Sequence, residues 1–124
     1  MVKNESELWQ YLKKKTPNIL WTKIENTSHL GTPDLLGYNK NKTFFTVELK
    51  VTKRNKLRFS PHQIAFHIQH SKNSFILTMQ LVDEVIKLYE GDQVESLVTR
   101  GLKLDPICEA VSYTHLTLPT KRIV

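Results

Sequence analysis

Apolar and polar positions alternate with two different periods along the chain, and the switches between them mark out its elements. In NESELWQYLKKK (4–15), Glu5, Leu8, Trp9 and Leu12 fall at i, i+3, i+4 and i+7, the spacing of one helix face. Asn4 can cap that helix with Glu7 three residues on, lysines occupy its last turn, and Thr16-Pro17-Asn18 ends it. Residues 19–25 (ILWTKIE) are rich in β-branched and aromatic types and predict a strand. A polar loop with Gly31 and Pro33 follows, then a short strand DLLGY (34–38), a turn at 39–42 and the strand TFFTVELKV (43–51), so that the last two strands form a hairpin. TKRNKLRF (52–59) reads as a basic loop.

Ser60 then offers an N-cap, Pro61 suits the first helical position, and Gln63 completes a capping box. That helix is expected to reach about Lys72, with Ile64, Ala65, Phe66 and Ile68 supplying apolar surface. SFILTM (74–79) predicts a buried strand and EVIKLY (84–89) another. Asp92 with Glu95 is expected to cap a short last helix that Gly101 ends. The order of elements predicts an α/β or α+β domain with a mixed sheet. The single domain is expected over residues 1–110. The tail VSYTHLTLPTKRIV (111–124) matches none of these periods and resembles translated read-through of a sequencing adapter; the alternative is a terminal strand in which Leu116 and Leu118 alternate with polar neighbours.

Composition narrows the class. A chain of 124 residues, 40% hydrophobic and 24% charged, suits one globular domain with one core. No apolar run approaches a membrane span and the N-terminus has no signal-peptide core, so a cytoplasmic setting and no membrane partner are expected. The single cysteine, Cys108, excludes an internal disulfide and a Cys-based zinc site. The net charge of +6 is unevenly spread: residues 1–82 carry 13 Lys/Arg against 5 Asp/Glu, and residues 83–110 carry 3 against 7. A basic front and an acidic back point to a directional, negatively charged partner such as nucleic acid, or else to ordinary solvated lysines.

Against this background three residues stand out. Side chains on a strand alternate between faces, so Glu48 and Lys50 share one face while Val47, Leu49 and Val51 take the other. The hairpin brings Asp34 beside Glu48. Two adjacent carboxylates repel unless a cation lies between them, and hard oxygen ligands suit Mg²⁺, with Mn²⁺ as a substitute. Lys50 beside the ion could orient or deprotonate a water, or stabilise charge on a phosphate. The plainer reading makes Glu48 and Lys50 an exposed same-face pair and Asp34 a turn residue after proline. His62, His67 and His70 lack the i, i+4 spacing of a helical zinc site, and zinc is not expected. Trp9 and Trp21 read as core.

The order helix, strand, Pro33-Asp34, hairpin, Glu48-Leu49-Lys50, helix resembles the PD-(D/E)XK nuclease superfamily, in particular its VRR-NUC and Holliday-junction-resolvase-like branches. Gly31 before the Pro-Asp pair fits, and Ser60 to Gln63 (SPHQ) resembles the helix start of phage-type members. The resemblance spans about residues 4–80. It implies a restriction-endonuclease-like core and metal-dependent hydrolysis of phosphodiester bonds in DNA, structure-directed, in repair, recombination or phage DNA processing. It implies Asp34, Glu48 and the Leu49 carbonyl as metal ligands, Lys50 as catalytic, Glu5 as the helical acid that completes the site (Glu7 is the other candidate), and Gln63 near the water or phosphate. Branched or flapped DNA and a homodimer are the partners it implies. Lys53, Arg54, Lys56 and Arg58 directly follow the motif and are expected to hold the DNA backbone without reading sequence, with Ser60 and His62 at the helix start. Asn26, Thr27, Ser28 and His29 could touch the same backbone. A catalytically silent nucleic-acid-binding module on the same fold, and a plain structural domain, are the alternative classes.

Overall fold

The computed structural model describes residues 2–24 and 31–111; Asn26, Thr27, Ser28 and His29, and the tail beyond Val111, lie outside the described residues. Helix α1 (Glu5–Lys15) opens the chain, capped by Asn4, whose side chain accepts from the Glu7 amide. Strands β1 (Leu20–Lys23), β2 (Leu35–Tyr38) and β3 (Phe44–Thr52) follow, then helix α2 (Pro61–Gln69), β4 (Ser74–Gln80), β5 (Val85–Glu90), helix α3 (Val94–Arg100) and β6 (Cys108–Val111). All six strands form one sheet in sequence order. Only β3 and β4 are parallel, because α2 carries the chain back across the sheet between them; every other neighbour pair is antiparallel.

Strand alternation sorts the core into two layers. Val47, Leu49, Phe75, Leu77, Met79, Ile86 and Leu88 point to one face and pack with Leu8, Trp9 and Leu12 of α1. Ile76 and Tyr89 point to the other and meet Val94 and Leu97 of α3, with Ile64 of α2 and Leu57 of the basic loop. Both tryptophans belong to the first layer: Trp21 stands edge-on between Trp9 and Phe45, at 5.8 and 5.4 Å between ring centroids, and its indole N–H donates to Thr16 Oγ1 at 2.9 Å.

Three expectations change. Helix α2 stops at Gln69 rather than near Lys72, because Asn73 adopts a left-handed conformation (φ 58°) and turns the chain into β4. Of Ile64, Ala65, Phe66 and Ile68, expected to supply its apolar surface, Ile64 packs against the second core layer. The fully buried residue is His67, while Ala65 and Ile68 are exposed and Ile64 and Phe66 half-buried. The sheet presents a polar row here, and His67 Nδ1 meets Ser74 Oγ at 2.6 Å. The last helix is not capped by Asp92 and Glu95; a 3-10 turn at Gly91–Gln93 leads into it, and Gln93 Oε1 accepts from the Glu90 amide at 2.9 Å. Strand β6, which no periodicity predicted, pairs with β5 and runs one residue past the expected domain end.

Since Leu12 is fully buried between α1 and the sheet, Leu12→Ala is expected to cost about 2–5 kcal/mol. Urea unfolding followed by tryptophan fluorescence measures it; a loss below about 1 kcal/mol, the scale of an ordinary mutation, would show that α1 is not seated on the sheet as described.

Candidate active site

The site forms where β2 begins and β3 continues. In the β2–β3 register Leu35 faces Val47, so one step further Asp34 stands opposite Glu48. Past that point no described strand pairs with β3 on its β2 side, and Asp34 Oδ2 takes the freed Leu49 amide at 2.7 Å. The N–H and C=O of one strand residue leave on the same side, so the Leu49 carbonyl is directed to the same edge as Asp34. This constellation therefore arises from strand geometry: β2 starts one residue late, and its capping aspartate sits against the longer strand.

Glu48 is buried, with 3% of its surface exposed, which removes the reading of an exposed same-face pair. Its Oε2 accepts from Gln63 Nε2 at 3.3 Å, and its Oε1 is buried without a donor. Desolvation first, then the adjacent Asp34 carboxyl and, more weakly, Glu5 push the Glu48 carboxyl up, Lys50 opposes them, and together they bring it to about 9. Two carboxyl groups this close favour a proton on one of them, or a cation between them.

Lys50 is fixed from three sides. Its Nζ donates to the Arg58 carbonyl at 2.7 Å and to Gln63 Oε1 at 3.0 Å, and lies 4.7 Å from the centroid of the Phe59 ring. An ammonium has three N–H donors, so one remains for a water or a phosphate oxygen. Gln63 serves two purposes at once: its Oε1 accepts from the Ser60 amide at 3.0 Å as part of the capping box, while its amide bridges Lys50 and Glu48. Ser60 Oγ accepts from the Gln63 amide at 3.1 Å, so Ser60 sets the helix start on which this bridge depends.

Glu5 comes from the opposite face of the sheet, where the first turn of α1 reaches the rim beside Asp34. Although the residue is exposed overall, partial desolvation raises its carboxyl above the ordinary range, the Asp34 charge adds to this, and Lys50 counters it. It lines two clefts. The smaller, about 120 Å³, also includes Trp9, Lys23, Asp34 and Leu49. The larger, about 380 Å³, lies among Lys50, Lys53, Lys56, Leu57 and Arg58. Glu7 accepts from the Lys3 amide at 3.1 Å and serves α1 through its own amide, and it is absent from both linings. Of the basic loop, Lys53, Lys56 and Arg58 surround the larger cleft, and Arg54 is exposed outside its lining. His62 is exposed at the start of α2, and its carbonyl packs against Gly31; a Cβ on Gly31 would lie 2.4 Å from that oxygen, and Gly31 has φ 82°. Only glycine tolerates both conditions, so Gly31 fastens the segment before Asp34 to the helix that carries Gln63.

The donor set fits a hard divalent cation. A buried carboxylate oxygen has no partner, a second carboxylate faces it, and a main-chain carbonyl leaves the same edge. Among the described residues no three His, Cys, Asp or Glu side chains are grouped closely enough to enclose a metal. A site of two carboxylates completed by water and phosphate is how Mg²⁺ is ordinarily held.

Sequence reasoning missed two contributors. Lys23 lines the cleft beside Asp34 because β1 sets it opposite Leu35, a pairing that follows only once the β1–β2 register is known. His67 lies one turn beyond Gln63 on the same inward face of α2. Burial first, then the charges of Lys50 and His70, lower it to about 4 and keep it neutral. The i, i+4 spacing of Gln63 and His67 was the available signal.

A carboxyl raised to about 9 from its usual value near 4.5 makes the metal-free folded chain bind a proton that the unfolded chain has released. Stability contributed by this group is full below about pH 4.5 and is lost as pH rises toward about 9. The melting temperature in EDTA is therefore expected to fall between pH 5 and 9. Mg²⁺ should oppose the fall, and Glu48→Gln should flatten it. Parallel curves for the wild type and Glu48→Gln would show that another group is responsible.

No model of a protein family matches the chain, and a search of curated proteins finds no match. Solved structures do match. A VRR_NUC domain aligns over 79% of this chain and 97% of its own length, with 23% identity and a TM-score of 0.53. The Holliday junction resolvase Hjc from the archaeal hyperthermophile Archaeoglobus fulgidus aligns over 72% of this chain and 75% of its own, with 16% identity and a TM-score of 0.53. The mixed six-stranded sheet with its leading helix therefore has the restriction-endonuclease-like fold of these two proteins, as the Pro33-Asp34 and Glu48-Leu49-Lys50 motifs implied.

Proposed function

We propose that this chain is a divalent-metal-dependent endonuclease that hydrolyses phosphodiester bonds in DNA, with branched or flapped DNA as its substrate class and repair, recombination or phage DNA processing as its setting. The observation that carries the reading is the buried Glu48 oxygen without a donor, facing Asp34 and flanked by Lys50 on the same strand face. The shared fold of a Holliday junction resolvase supports the choice of DNA.

In this reading Asp34, Glu48 and the Leu49 carbonyl would hold Mg²⁺ or Mn²⁺, and Glu5 would complete the site. The ion supplies Lewis-acid stabilisation of charge on the phosphate. Lys50 directs its remaining N–H to the attacking water or to a phosphate oxygen, and its ammonium offsets the negative charge that grows as the P–O bond breaks. Gln63 keeps Lys50 and Glu48 at a fixed separation, so that neither collapses onto the other while the substrate is absent. Lys53, Lys56 and Arg58 hold the DNA backbone over the larger cleft, and Arg54 adds charge beside it. Ser60 and His62, at the exposed start of α2, are within the same surface and can donate to a phosphate.

Incubation with branched, flapped and linear DNA in Mg²⁺ or Mn²⁺ tests the reading directly. Cleavage is expected only with metal, and Lys50→Ala should lower its rate by about 10²- to 10⁴-fold while retaining the fold and DNA binding. Near wild-type cleavage by that variant would refute the role of Lys50. DNA binding without cleavage under every metal condition would favour a catalytically silent module. Replacing Arg54 and Arg58 together by Ala should weaken binding alike on all sequences and flatten the slope of log affinity against log salt by up to about 2 units. If the pair binds normally but no longer turns over, these arginines belong to the reaction centre instead.

A further inference from the structure

The segment 83–110 is acidic as a sequence, yet two of its three cations, Arg100 and Lys103, stand on the basic side of the molecule. They line a third cleft, about 440 Å³, together with Asn55, Lys56, Val98, Thr99 and Gly101. Lys56 belongs to this cleft and also to the one beside Lys50. The two clefts thus adjoin across one lysine, and no acidic side chain lines the third.

Their relative position is rigid. The Leu102 amide donates to the Asn55 carbonyl at 2.8 Å, and Gln80 Nε2 reaches Asn55 Oδ1 at 3.4 Å. Gly101 has φ 62°, and a Cβ there would lie 2.3 Å from the same Asn55 carbonyl, so the turn after α3 is pressed onto the basic loop. The Lys87 ammonium donates to the Leu102 carbonyl at 2.7 Å and fastens that turn to β5. On the other side, Thr52 Oγ1 donates to the Lys56 carbonyl at 2.8 Å, and Lys50 holds the Arg58 carbonyl. One set of hydrogen bonds therefore links the reaction centre, the basic loop and the turn bearing Arg100 and Lys103. Both of these cations are exposed.

We propose that the cleft at Arg100, Gly101 and Lys103 is a second DNA-backbone site, which takes phosphates of the duplex arm leaving the reaction centre past Lys56. The proposal rests on the nuclease reading for the direction of the arm, and its binding test does not depend on cleavage. Salt dependence of affinity is measured in EDTA on a long hairpin duplex of about 24 base pairs, roughly 80 Å at 3.4 Å per base pair. Arg100→Ala/Lys103→Ala is expected to lower the slope by up to about 2 units. Lys40→Ala/Lys42→Ala removes the same charge from the β2–β3 turn, at the opposite end of β3, and should leave the slope unchanged. Arg100→Lys/Lys103→Arg should restore the wild-type slope, which a role in folding alone would not require. An unchanged slope on the long duplex, or an equal loss in the Lys40/Lys42 variant, overturns the proposal. If the wild type binds DNA but cleaves none in Mg²⁺ or Mn²⁺, the nuclease reading fails while the slopes still decide this one.

Discussion

The burial of one carboxyl group constrains everything around it. Glu48 lies in the middle strands of a six-stranded sheet, under helix α2, with an oxygen that receives no donor. An ionised carboxylate in such a place is costly unless it is paired or coordinates a cation. The chain answers with a partner that makes matters worse in the absence of an ion, since Asp34 raises Glu48 further. A sequence selected for stability alone would place Gln or Leu at 48. Other buried polar atoms also lack partners, but Glu48 Oε1 belongs to an ionisable group beside a second carboxylate, the arrangement that a metal-binding site would use.

The surrounding elements can be understood as means of holding that point. Because β2 begins only at Leu35, the Leu49 amide is left for Asp34. The parallel β3–α2–β4 unit lays α2 over Glu48, and the capping box of α2 is also the device that places Gln63 between Glu48 and Lys50. Gly31 fastens the approach to Asp34 onto that same helix start. The basic loop closes the circuit through the Arg58 carbonyl, which makes the main chain of a cationic loop an acceptor for Lys50. DNA held by this loop would bear directly on the position of Lys50.

Much of this was legible in the sequence because it depends on local rules. The period of α1, the cap at Ser60, the alternation of β3 and the hairpin register are short-range properties, and together they put Asp34, Glu48 and Lys50 in one place. What escaped depends on distant partners. The apolar surface of α2 was assigned to Ile64, Ala65, Phe66 and Ile68, but the sheet beneath it is polar at Ser74, so His67 is the residue buried there. Strand β6 has no alternation of its own and is defined by pairing with β5. Arg100 and Lys103 were counted with an acidic segment, because linear charge balance does not know that Gly101 folds their turn against Asn55.

The central claim is that Asp34 and Glu48 jointly hold a divalent cation at the start of β2. Crystals soaked in Mn²⁺, with anomalous diffraction data, test it most directly. The account predicts a single strong peak about 2.0–2.2 Å from an oxygen of each carboxylate, with the Leu49 carbonyl as a further ligand. It also predicts that Gln63 still bridges to Lys50. A peak elsewhere, or no peak between Glu48 and Asp34, would contradict it.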